Sequence, residues 1–149
     1  MPARKWPGLP MSPCLAFALL ILSVMAGRGA MAEERACPFA GQKPMLVVQL
    51  FFGQSIKDRG LVSDREWRSF LARTVTPRFP DGFTVYDGYG QWMNPRTHAI
   101  SREKTKVMVI ATEDTPALRT RIEELSGIYR ARFHQQSVGL ITSPGCGAF

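Results

Sequence analysis

The order of apolar segments in this chain, β-α-β-β-α-β, predicts an α+β domain of the ferredoxin-like kind, a four-stranded antiparallel sheet with two helices on one face. Three observations carry that expectation. Two segments repeat apolar residues at helical spacing behind recognisable N-caps, and four are short β-branched or aromatic runs bounded by Gly, Pro and Asn turns. The two most uniformly apolar runs come first and third among the strands, the positions that this topology puts in the middle of the sheet.

Met45 to Phe52 reads Met-Leu-Val-Val-Gln-Leu-Phe-Phe and stops at Gly53, too short for most helices and right for a buried strand. Ser63-Asp64-Arg65-Glu66 matches the capping box, in which serine and glutamate satisfy each other's free amides. Trp67, Phe70, Leu71 and Val75 follow at helical spacing until Pro77 stops the helix. Phe79-Pro80-Asp81-Gly82 is a turn that lets Phe83 to Trp92 start a second strand. Asn94-Pro95-Arg96-Thr97 turns again, and Lys104 to Thr112 is a third strand rich in Val, Met and Ile. Thr115-Pro116 gives an N-cap with proline at the first helical position, and Leu118, Ile122, Leu125, Tyr129 and Phe133 mark one apolar face. Val138 to Thr142 is the last strand, ahead of Ser143-Pro144-Gly145.

Ahead of this domain, Met1 to Ala32 has the pattern of a secretory signal peptide. Arg4 and Lys5 precede an apolar stretch from Leu15 to Ala26, and Ala30-Met31-Ala32 is a small-x-small cleavage site before Glu33. The apolar run falls below the roughly 20 residues that span a bilayer, which makes retention as an anchor the weaker reading and predicts no membrane span once the leader is cut. Met11 is an alternative start that keeps the same apolar segment. The expected organisation is a signal peptide over 1–32, an extension over 33–44 and a single domain over 45–149, placed in the periplasm or secreted.

The chain carries 19 Lys and Arg against 12 Asp and Glu, a net +7. Three of those bases and none of the acids lie in the leader, so the mature part is only +4. That is too modest a charge to argue for nucleic acid, and the third strand has none of the stacking aromatics that an RNA-binding domain of this topology needs. Cys14 leaves with the leader, and Cys37 and Cys146 remain in a compartment where disulfides persist. In the expected topology the last strand runs antiparallel beside the first, so the chain entering one and leaving the other emerges at the same end. A Cys37–Cys146 bond follows, with two free thiols in flexible tails as the competing reading.

Several stretches resemble domain of unknown function family 3574, a family of exported bacterial proteins. They are Leu50-Phe51-Phe52-Gly53, Ser63-Asp64 with Glu66-Trp67 and Phe70-Leu71, the long run Val75 to Val85, Gly90-Gln91-Trp92, Arg102-Glu103 and Ser137-Val138. The resemblance implies export and one compact domain. It brings no activity and transfers no catalytic residue.

The sandwich leaves one sheet face uncovered, and parity along the strands predicts its occupants. Val47, Gln49 and Phe51 are expected there from strand one. Strand two supplies Thr84, Tyr86, Gly88, Gly90 and Trp92, with Phe83 and Val85 turned to the helices. On strand three Val107, Val109 and Ala111 suit the helix side, leaving Lys106, Met108 and Ile110 open. An apolar, aromatic face of this kind marks an interface or a ligand groove. Candidate ligand-binding residues are Gln49, Tyr86, Gly88, Gly90, Trp92 and Arg102; an edge strand bent at its glycines is the plainer reading of the Tyr86–Trp92 strip.

Arg102, Lys104 and Lys106, with Arg96 and His98, form a candidate anion cluster, against which stand edge charges that discourage aggregation. Glu103 beside Arg102 is a candidate base, weighed against a solvated hairpin pair. His98 and His134 have no ligand spacing between them, so neither a metal nor another cofactor is expected. No Gly-x-Ser-x-Gly turn is present. Two function classes stay open: a binding or self-associating module of the cell envelope that uses the open face, as a homodimer or with a small-molecule ligand, and a small cofactor-free enzyme resembling dimeric α+β barrels with a pocket on that face. Whether the protein is an enzyme is left undecided by the sequence.

Overall fold

The computed structural model describes Cys37 to Phe149, and these residues form one compact unit. The expected leader, its cleavage site, the Met11 start and Cys14 lie outside the described residues.

Strand β1 spans Lys43–Gly53, two residues earlier than the apolar run suggests and inside the expected extension. A small hairpin that sequence reading does not anticipate follows, β2 Ser55–Ile56 and β3 Gly60–Leu61. Its turn is built by Asp58 and Gly60, both at positive φ (62° and 96°). Helix α1 covers Asp64–Phe70 behind the capping box: Ser63 Oγ accepts from the Glu66 N–H at 3.3 Å, and Glu66 Oε2 accepts from the Ser63 N–H at 2.9 Å. The helix then widens into a π-turn over Leu71–Val75, where the Thr76 N–H donates to the Leu71 carbonyl at 2.9 Å. That wide turn puts Val75 on the buried face five residues after Phe70, while Leu71, which helical spacing also assigns to that face, is only partly buried.

Strand β4 spans Thr84–Met93, and β5 spans Ile100–Thr112, starting four residues before Lys104. Helix α2, Pro116–Phe133, is capped by Thr115, whose Oγ1 accepts from the Leu118 N–H at 3.1 Å, and it buries all five expected residues from Leu118 to Phe133. His134 ends it in the left-handed conformation at φ 53°. Strand β6, Gly139–Gly147, runs through Pro144, which is tolerated because the strand is an edge.

The sheet order is β4-β5-β1-β6 with every neighbour antiparallel, so the two apolar strands are central as expected. Val48, Leu50 and Phe52 of β1 face the helices and are fully buried with Met108 and Ile110 of β5. Phe52 is the hub of an aromatic cluster, with ring centroids 4.7 Å from Tyr129, 5.5 Å from Trp67 and 5.9 Å from Phe70. Edge-to-face rings at these separations add about 0.5–1.5 kcal/mol per pair beyond the area they bury. The Cys37–Cys146 disulfide is formed, with Cα atoms 5.7 Å apart, where the segment entering β1 passes the end of β6.

The register corrects one expectation. Leu50 pairs with Met108 and Val48 with Ile110, so Met108 and Ile110 belong to the helix side. Val107, Val109 and Ala111 lie on the open side, the reverse of the parity reading. Lys106 also faces the helix side, where it pairs with Asp87. The reason is compositional: β5 is apolar on both faces, and residue type alone cannot set its phase. In β1 the single polar Gln49 set the phase correctly, and in β4 Val85 did so by packing against the core.

Candidate ligand cleft on the open sheet face

With the phase corrected, the uncovered face is a grid of cross-strand rows. Gly139, Phe51, Val107 and Tyr86 form one row, and Ile141, Gln49, Val109 and Thr84 the next. Val107 is nearly buried although no helix covers it. Toward the β4–β5 turn the rows become small and polar: Gly53, Thr105 and Gly88, then Glu103 and Gly90, then Ser101 and Trp92.

Glycines hollow out this end of the face. A Cβ on Gly139 would stand 3.1 Å from the Phe51 Cβ, and one on Gly53 would stand 2.7 Å from Glu103 Oε1. Because Gly53 has no side chain, the Glu103 carboxylate lies across the strand and accepts a hydrogen bond from the Ser55 N–H at 3.0 Å. The result is a cleft of about 650 Å³. Phe51, Gly53 and Thr105 form its floor, and Trp92, Ser101 and Glu103 one wall. Lys57 and the α2–β6 connection, His134 to Ser137, close the other side.

The floor is held rigidly from beneath. Gln54 is buried, and its Nε2 donates to the Phe52 carbonyl at 2.8 Å and to the Tyr129 hydroxyl at 3.0 Å. The Tyr129 hydroxyl in turn donates to the Gly53 carbonyl at 2.8 Å. Burial pushes the Tyr129 phenol well above its ordinary range, the Gln54 hydrogen bond opposes that, and the nearby Glu103 charge adds to it. Tyr129 is therefore a neutral donor at any ordinary pH. Gln135 Nε2 donates to the Ser55 carbonyl at 2.6 Å, so both backbone groups of Ser55 are tied by side chains.

Of the candidate residues, Trp92 lines the cleft, and Arg102 borders it only as the residue between Ser101 and Glu103 on β5. Gly88 and Gly90 border it in the rows of Thr105 and Glu103, whereas Gln49 and Tyr86 sit farther along the same face. Arg102 Nε donates to Gln91 Oε1 at 3.0 Å, and the register puts this pair on the face opposite Trp92. The proposed anion cluster is partly occupied in the same way, since Lys106 is paired with Asp87. Sequence reading does not gather Ser101, Thr105, His134 or Gln135 to a site; it offers Glu103 as a candidate base beside Arg102, without Ser55 as the group that holds it. The available signal was that Ser101, Glu103 and Thr105 share one face of β5 with Trp92 across from them.

A second cavity, about 760 Å³, lies at the other end of the sheet between Met45, Phe83, Val109 and Leu118. It includes the fully exposed Phe149 and places no held carboxylate opposite an aromatic ring, so the first cleft is the better candidate. Among the described residues no three His, Cys, Asp or Glu gather as metal ligands would, and no helix is long and apolar enough to cross a membrane.

Fold and cleft together define a small α+β domain with a half-open, mixed aromatic and polar cleft on its uncovered sheet face. The chain belongs to the family described as "Protein of unknown function (DUF3574)", whose model matches residues 47–149. No curated protein matches it significantly. The fold is similar to that of a phage SAM lyase in complex with S-methyl-5'-thioadenosine, at 12% identity and a TM-score of 0.53 over 78% of this chain and 95% of that one. A phage SAM lyase in the apo state is similar at 12% identity and a TM-score of 0.50, over 71% of this chain and 90% of that one.

Proposed function

We propose that the protein is an exported binding domain that takes a small ligand, a planar ring carrying a hydroxylated or cationic arm, in the Trp92–Glu103 cleft. One observation carries this reading: an exposed indole and an anchored carboxylate face the same glycine-floored hollow, whose volume is in the range of small-molecule sites. Trp92 is 51% exposed and offers a stacking surface. One Glu103 oxygen is held by Ser55, which fixes the carboxylate so that its remaining acceptor capacity points to ligand hydroxyls or a cation. Export is supported by the leader pattern and by a disulfide, the kind of bond that persists in oxidising compartments.

S-methyl-5'-thioadenosine, bound by a protein of this fold, has a planar base and a hydroxylated sugar and is the first probe. Calorimetry on the purified protein should give binding of this compound or of another nucleoside that Trp92→Ala and Glu103→Gln each weaken by roughly tenfold or more. Absence of binding across a panel of nucleosides, amino sugars and amines removes the reading. A second reading keeps the same cleft but makes it catalytic, with Glu103 as base; a carboxylate held at a ligand cleft is the feature that favours it. Loss of SAM on incubation with the protein, abolished in Glu103→Gln, separates catalysis from binding.

A further inference from the structure

We propose that the protein pairs with a second copy of itself, edge to edge through β4, with Gly88 of each chain on the two-fold axis. Among the described residues β4 has β5 on one side and no strand on the other. Edge strands carry a row of unpaired backbone groups, and proteins that stay monomeric blunt them with proline, lysine, bulges or covering segments. The two edges of this sheet differ in that respect. β6 contains Pro144 and is tied down through Cys146, whereas the ten residues of β4 contain no proline, lysine or arginine. Tyr86, Tyr89, Trp92 and Met93 of β4 are between 48% and 66% exposed.

The sequence of β4 is complementary to itself about Gly88. In an antiparallel pairing centred there, residues opposite each other have numbers that mirror around 88, and both open faces lie on the same side of one continuous sheet. Tyr86 of each chain then faces Gly90 of the other, covering a bare glycine with an aromatic ring. Trp92 faces Thr84, a large side chain beside a small β-branched one. On the opposite face Asp87 meets Tyr89, a carboxylate acceptor against a phenol donor. Moving the axis one residue toward the N-terminus sets Asp87 against Asp87, and moving it one residue the other way leaves Gly88 facing Gly90.

Light scattering on the eluting, disulfide-intact protein tests the pairing. Twice the chain mass is expected for the wild type, and Tyr86→Lys should weaken the dimer by roughly tenfold or more. Tyr86 is half exposed, so the fold of that variant should be unchanged by circular dichroism. The register is read separately. In the double variant Thr84→Cys/Trp92→Cys the new cysteines lie opposite each other across the axis, within disulfide reach, while within one chain they stand far apart along the strand. Oxidation should give a covalent dimer from the double variant and none from either single one. A monomeric wild type, a dimer indifferent to Tyr86→Lys, or a double variant that does not cross-link overturns the proposal. None of these readouts depends on a ligand.

Discussion

Replacing Gly53 by alanine should disturb the cleft through one identifiable contact. The new Cβ would stand 2.7 Å from Glu103 Oε1 and 3.0 Å from its Cδ, where ordinary contact begins near 3.4 Å, so the carboxylate must retreat by about 0.7 Å. Its hydrogen bond to the Ser55 N–H is already 3.0 Å long and does not survive that displacement. A hydrogen bond to a charged group contributes about 1.5–3 kcal/mol when well shielded, and partial exposure here brings the expected loss to about 1–2 kcal/mol. Denaturant unfolding of four proteins checks the assignment: wild type, Gly53→Ala, Glu103→Ala and the double variant. Removing Glu103 removes the obstacle, so Gly53→Ala should cost far less in the Glu103→Ala background, a coupling of about 1 kcal/mol or more. Costs that add within about 0.5 kcal/mol would show that the two residues are independent and would refute this account of the cleft.

Replacing both Cys37 and Cys146 by serine opens a loop closed over a separation of 109 residues, for which chain entropy gives about 4.8 kcal/mol as an upper value; equilibrium unfolding should show a loss of about 3–5 kcal/mol, and thiol titration of the unreduced, denatured protein should find neither cysteine reactive. Tyr129→Phe strips the Gly53 carbonyl of its donor and Gln54 of an acceptor, and should cost about 1–3 kcal/mol with slower unfolding lost first around β1, read by hydrogen exchange at Gln54. Hydrogen bonds from the Ser63 side chain, the Ser63 backbone and Arg59 hold the Glu66 carboxyl down to about 2. A depressed carboxyl contributes stability that is complete above its unfolded value near 4.5 and disappears as pH falls through about 2, so acid titration followed by circular dichroism should show a step in that window that Glu66→Gln lacks.

How far such features can be read from the chain alone depends on whether a single residue type decides them. Gln49 among apolar neighbours set the phase of β1, and the Ser63–Glu66 capping box and Thr115-Pro116 marked both helix starts because each is a local hydrogen-bonding device. The phase of β5 had no such marker, since Val107-Met108-Val109-Ile110 suits either face and only its pairing with Leu50 and Val48 decides. The disulfide followed from topology, which brings the two ends of the sheet together. The cleft was only half visible. Trp92 and the glycines of β4 pointed to it, but Glu103 reaches across β1 to Ser55, and Gln135 approaches the same residue from 80 positions away in sequence. Contacts of that kind depend on which strands are neighbours and on a missing Cβ at Gly53.

The Cys37–Cys146 bond joins the chain just before the sheet to the chain just after nearly all of it. Tension applied from a point ahead of Cys37 to a point beyond Cys146 therefore passes through the sulfur bridge and leaves the strand ladders, both helices and the cleft unstretched. A protease that nicks the exposed Asn94–Ala99 turn meets a related consequence, because the halves on either side of the cut remain covalently joined and the sheet can stay paired across it. One cross-link thus separates the mechanical continuity of the chain from the integrity of the fold.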